Sequence, residues 1–183
     1  MSEEMIIHHC SPTLAGLKTA SLFSCTYNSS YELKQIIRRF NRMLSSKGLR
    51  FLPLRIAENH ALIYVYRPSK LKADLANSDA DEILKGRGYY EESPERCIVK
   101  LINRLKENEE FPHEIGLFLG YPPEDVRGFI ENGAKCSKCV GCWKVYGDVE
   151  QAQKTFARYK KCTDAYKKQL QKGKSIEKLT IAV

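Results

Sequence analysis

The chain has 183 residues, 43% of them hydrophobic and 28% charged, enough for one well-cored globular domain and no reason to require two. No apolar run approaches the roughly 20 residues of a membrane helix, and the opening MSEEMIIHHC lacks the basic flank and long apolar core of an export signal; a cytoplasmic protein with reduced thiols is therefore expected, with no membrane partner and no disulfide framework. The net charge of +8 is local: residues 1–133 carry 18 Lys and Arg against 18 Asp and Glu, and residues 134–183 carry 12 against 4.

In chain order, Met5 to Cys10 is short and apolar and reads as a first strand, interrupted by Ser11-Pro12-Thr13, with Thr13 placed to cap a brief helix. Ala20 to Tyr27, rich in aromatic and β-tolerant residues, reads as a second strand. Ser29-x-x-Glu32 is a capping box, and Leu33, Ile36, Ile37, Phe40, Met43 and Leu44 follow at helical spacing until Gly48. Leu49 to Ile56 and Ala61 to Tyr66 form a predicted antiparallel hairpin; Pro53 places the first arm at an edge or bulge, and ALIYVY is apolar enough to be central.

Ser69 caps a short predicted helix through Leu71 and Leu75, and Ser78-x-x-Asp81 opens a helical turn that ends at Gly86. The Arg87-Gly88 loop after it reads as a plain connection. Ser93 with Pro94 starts a helix whose face is Cys97, Ile98, Leu101, Ile102 and Leu105. His113 to Ile130 has the glycine spacing of a helix-turn-helix. However, Pro122, Pro123, Glu124 and Asp125 occupy the start of the would-be recognition helix, where acid repels DNA, so the segment reads as two short packed helices. Trp143 to Tyr146 reads as a short strand. Asp148-x-x-Gln151 caps a basic helical segment, 148–173, with the face Val149, Ala152, Phe156, Tyr159, Thr163, Tyr166 and Leu170, and Leu179 to Val183 reads as a closing strand. The expected architecture is a single α+β domain, a mixed sheet of about five strands flanked by about five helices.

The chemistry centres on GAKCSKCVGCWKVYG, where Cys136, Cys139 and Cys142 stand two residues apart beside Trp143, the one tryptophan. Two Cys-x-x-Cys steps can turn three thiolates toward one ion; a closed zinc or four-iron site needs a fourth donor, for which Cys162 is the nearest later candidate. The same three cysteines also read as packed free thiols or as a dithiol redox switch. His8, His9, His113, Cys10 and Arg67 are the other reactive side chains that a fold could gather into an enzyme site.

The stretches HCSPTLAGLK, ALIYVYRP, HEIGLFLGYPPEDVRGFI and CWKVYGD resemble, over nearly the whole chain, the bacterial proteins grouped as domain of unknown function 3793, found largely in anaerobic Firmicutes. The resemblance carries no residue role with it, and points toward redox or metal metabolism. Three functions follow as expectations. One is a metal or iron–sulfur accessory protein, working with a redox protein partner, that uses Cys136, Cys139, Cys142 and Cys162. Another is a nucleic-acid or partner-binding module using the basic carboxyl-terminal helix; the third is an enzyme with a dispersed active site.

Overall fold

A computed structural model of the chain describes residues 1–90, 93–107 and 111–182. The chain divides into two compact units: residues 1–69 with 161–183, and residues 70–160. Among the described residues the fold is α+β, with nine α-helices, one three-stranded sheet and one two-stranded sheet. The single five-stranded mixed sheet expected from the sequence is therefore corrected to two separate antiparallel sheets.

The first unit opens with helix α1 (Glu3–Leu14), not with a strand. Ser2 caps it by accepting from the Met5 N–H, Glu3 and Glu4 suit the positive end of the helix, and Ile6, Cys10 and Leu14 recur at helical spacing on its buried side. Pro12, read as a breaker, falls in the last turn, where it removes one helical hydrogen bond without stopping the chain. Thr13 caps nothing; its hydroxyl meets Ser21 Oγ at 2.8 Å.

Strand β1 (Ala20–Thr26) and helix α2 (Ser30–Leu44) follow as the sequence predicts, with Ser29 Oγ accepting from the Glu32 N–H at 3.4 Å. A 3-10 turn at Ser45–Lys47 ends on Gly48, whose φ of 75° is left-handed and suits glycine. Strands β2 (Arg50–Ile56) and β3 (His60–Tyr66) are the predicted hairpin. The sheet order is β1-β3-β2, so ALIYVY is central and β2 is an edge, with its register shift between Pro53 and Arg55. The Asn41 side chain donates to the Phe51 carbonyl at 2.9 Å and accepts from its N–H at 2.7 Å, occupying backbone groups that an edge strand leaves open.

One face of this sheet presents Phe23, Cys25, Phe51, Ala61, Ile63 and Val65 to a core completed by α1, α2 and the carboxyl-terminal residues Ile176 and Leu179. Those last two belong to a short helix, α9 (Ile176–Leu179), capped by Ser175; of the predicted strand Leu179 to Val183, Leu179 ends this helix, residues 180–182 form no strand, and Val183 lies outside the described residues. Arg67, fully buried, ties the unit together. Its Nε donates to the Thr13 carbonyl at 2.7 Å, Nη1 to Lys47 at 3.1 Å, and Nη2 to Leu14 at 2.7 Å and to Ile181 at 2.8 Å.

Helix α3 (Pro68–Leu75) leads into the second unit, where α4 (Ser78–Gly86) is capped by Asn77 rather than by Ser78, the Asn77 side-chain Oδ1 accepting from the Asp79 and Ala80 N–H groups. Helix α5 (Pro94–Glu107) starts on Ser93 as predicted and buries Cys97, Ile98, Leu101 and Leu105. The buried Glu114 accepts from Tyr89 Oη at 3.0 Å and lies 2.8 Å from Arg104 Nε, which neutralises its charge. Two short helices follow, α6 (Ile115–Phe118) and α7 (Pro123–Asn132). Strands β4 (Cys139–Val140) and β5 (Lys144–Val145) make a two-stranded hairpin. Helix α8 (Val149–Gln171), with Asp148 accepting from the Gln151 N–H at 3.0 Å, gives residues 149–160 to this unit and 161–171 to the first.

Candidate functional site

The second unit holds a cavity of about 360 Å³ among α6, α7 and the β4-β5 hairpin, walled mainly by Tyr121, Val126, Phe129, Trp143, His113 and Ile115. Close packing of backbone against ring builds it. A Cβ on Gly116 would come within 2.7 Å of Val126, and a Cβ on Gly141 or Gly128 would overlap the rings of Phe156 and Tyr146, so α6, α7 and the hairpin approach as only glycine permits.

Asp125 organises the wall. It lies in the first turn of α7, where a carboxylate complements the helix dipole, and only 3% of its surface is exposed. Oδ2 accepts from Trp143 Nε1 at 2.7 Å, while Oδ1 accepts from the Tyr146 and Gly147 N–H groups at 2.7 and 2.8 Å. Three donors meet the burial requirement of one carboxylate, so Asp125 is a clamp on the hairpin. The Trp143 ring stacks on Tyr121 (centroids 4.8 Å apart, planes at 28°) and takes an edge contact with Phe156 at 4.6 Å. His113 meets Phe129 edge-on at 4.8 Å. The Lys144 ammonium leans to the Ala134 carbonyl at 3.4 Å, which leaves mainly its stem for the cavity. The cavity thus offers shape and aromatic surface rather than free charge.

The loop cysteines lie on and beside this hairpin, Cys139 within β4. Cys136 and Cys142 are exposed and Cys139 is half-buried. Cys136 has a left-handed backbone, φ 59°, unusual for a residue with a side chain. Its thiol lies in electrostatic range of the Tyr146 phenol, whereas that of Cys142 lies in range of Tyr121 and Tyr159; burial raises both of the latter phenols to about 12. Cys162, half-buried on α8, belongs to the first unit, and burial raises its thiol above the ordinary range. Among the described residues, no three His, Cys, Asp or Glu side chains are gathered so as to hold a metal ion.

The other reactive side chains are dispersed. Cys10 is fully buried on α1 with its thiol pushed up to about 12 by burial, which suits a packed core group and not a nucleophile. Arg67 is spent on backbone carbonyls. His8 and His9 lie on the exposed side of α1, and only His113 joins the cavity. Of the cavity residues, Tyr121, Asp125, Val126 and Phe129 are legible in the sequence as helix and turn residues alone; the lone tryptophan and His113 are its signals of the site.

Among the described residues, no helix is long and apolar enough to cross a membrane. No curated protein and no solved structure matches the chain. A family model described as a protein of unknown function (DUF3793) matches residues 6–180, which spans both compact units, and the chain belongs to that family.

Proposed function

We propose that the protein binds a small, planar, mainly apolar molecule in the cavity walled by Tyr121, Val126, Phe129 and Trp143. The observation that carries this reading is the cavity itself: about 360 Å³ of aromatic-lined space whose buried carboxylate is already satisfied by three N–H donors. A ring stacked on Trp143 or Phe129 gains dispersion and quadrupole energy of about 1 kcal/mol per ring pair beyond its burial. Trp143 is the one tryptophan, so its emission reports occupancy directly. Titration with indole, naphthalene and quinoline is expected to change that emission saturably, and Val126→Phe, which fills the cavity, to weaken the response at least tenfold while circular dichroism is unchanged. No saturable change with any of the three, in a folded protein, would overturn the reading.

A second reading is a zinc or iron–sulfur centre on Cys136, Cys139, Cys142 and Cys162. One observation favours it: the three loop thiols are exposed or half-buried on a hairpin that holds Cys136 in a left-handed backbone, while Cys10, Cys25 and Cys97 are buried. As placed, the donors do not fit an ion, so binding would have to draw the loop together. Metal analysis after anaerobic purification tests it: about one equivalent, lost in Cys139→Ser, supports it, and metal-free protein with an unchanged fold rejects it.

A further inference from the structure

A groove of about 560 Å³ in the first unit runs between α1 and the 161–171 part of α8, and its polar lining is Ser2, Glu4, His8, His9, Lys167 and Gln171, with Met5, Ile7 and Leu170 as its apolar part. The two imidazoles are held in place. His9 lies flat on the Phe23 ring of β1, centroids 5.1 Å apart and planes at 3°, and the His8 ring meets His9 edge-on at 4.6 Å and 82°. Two rings at right angles direct their N–H groups along different lines, and Lys167 adds an ammonium from the facing helix.

The charge balance of the groove depends on protonation. Glu4 is its carboxylate; Glu3 accepts from the Ile176 N–H at 3.0 Å. Lys167 faces the pair from α8, and the amino terminus lies in electrostatic range of Cys25 on β1. Burial first, then His8 and Lys167, lower the basicity of His9, so desolvation and like charges beside it both disfavour its protonated form. An anion in that space would remove the repulsion.

We propose that this groove is a binding site for a tetrahedral oxyanion group, free or as a phosphate monoester, held between the His8–His9 pair and Lys167. Protonating His9 adds a charge and a donor, and because burial lowers its pKa the gain in affinity comes as the pH falls below the ordinary imidazole value. The site is separate from the aromatic cavity and independent of what binds there.

Inorganic sulfate tests the proposal, because its charge is constant between pH 5.5 and 8. The imidazole proton resonances of His8 and His9 are expected to shift saturably with sulfate, while His60, exposed at the start of β3, serves as the control for ionic strength. Affinity at pH 5.5 is expected to be about tenfold tighter than at pH 8, and Lys167→Ala to weaken it about fivefold with the melting curve unchanged. Phenyl phosphate tells the sources apart: tighter binding than sulfate assigns an ester whose tail uses Met5 and Leu170, and equal binding assigns the free anion. Shifts at His8 and His9 no larger than at His60, or an affinity indifferent to Lys167→Ala, would overturn the proposal.

Discussion

Trp143 Nε1 donates to Asp125 Oδ2 at 2.7 Å across eighteen residues of sequence, so the position of the hairpin depends on a carboxylate in another element. Asp125→Ala leaves three buried or half-buried N–H groups without an acceptor and is expected to cost about 3 kcal/mol. Asp125→Asn keeps the shape but turns an NH₂ against one set of donors, and is expected to cost nearly as much. Urea denaturation gives the loss, and a red shift of Trp143 emission under native conditions shows the ring released to water.

Arg67 is held by four carbonyls, from Thr13, Leu14, Lys47 and Ile181. Lysine keeps the charge but has three donors on one nitrogen and cannot reach that spread of acceptors. Arg67→Lys is therefore expected to lose about 2 kcal/mol and Arg67→Ala about 4 kcal/mol, read from urea midpoints. Faster amide exchange in residues 176–182 is expected to accompany the loss, because the Ile181 carbonyl is one of the four.

Stability is expected to fall in alkali. Burial raises the Cys10 thiol from 9.0 to about 12, and the Tyr121, Tyr159 and Tyr166 phenols from 10.0 to about 12. The folded state holds these protons more tightly than the unfolded chain does. The contribution is thus complete below pH 9 and is lost between pH 9 and 12, up to about 4 kcal/mol for Cys10 alone. Cys10→Ala is expected to flatten the first part of that slope, measured as the urea midpoint at pH 8 against pH 10.5.

Thiol reactivity is expected in three tiers. Cys136 and Cys142 react first with an aromatic disulfide reagent, Cys139 and Cys162 more slowly, and Cys10, Cys25 and Cys97 only on unfolding. Peptide mass spectrometry after timed quenching distinguishes the tiers, and equal rates at Cys10 and Cys142 would contradict the burial described above.

The elements legible in the sequence are those set by neighbours in the chain. Ser29, Ser93 and Asp148 cap α2, α5 and α8 as their motifs predict, and Pro53 marks both the edge and the register shift of β2. Helix α1 departs from the predicted strand because MIIHHC is too short to separate a strand from a helix by apolarity, and the Ser2 cap with the Ile6, Cys10, Leu14 spacing outweighs a Pro12 that falls in the last turn. The carboxyl-terminal strand was misread because Leu179 is buried by the core of the first unit, which a local pattern does not encode. For the site, Trp143 and the cysteines stood out, but the partner that positions Trp143 did not. Asp125 reads locally as a helix-start acid, and its three acceptor contacts exist only once the hairpin folds back on α7.

The first unit is sewn from both ends of the chain, residues 1–69 and 161–183, with the Leu14 carbonyl accepting from the Ile181 N–H at 3.1 Å. On the ribosome, residues 1–69 must therefore wait for residues 161–182 to leave the exit tunnel, whereas residues 70–160 are contiguous and can mature during elongation. A stop codon at position 172 would spare residues 70–160 and leave residues 1–69 open to proteases.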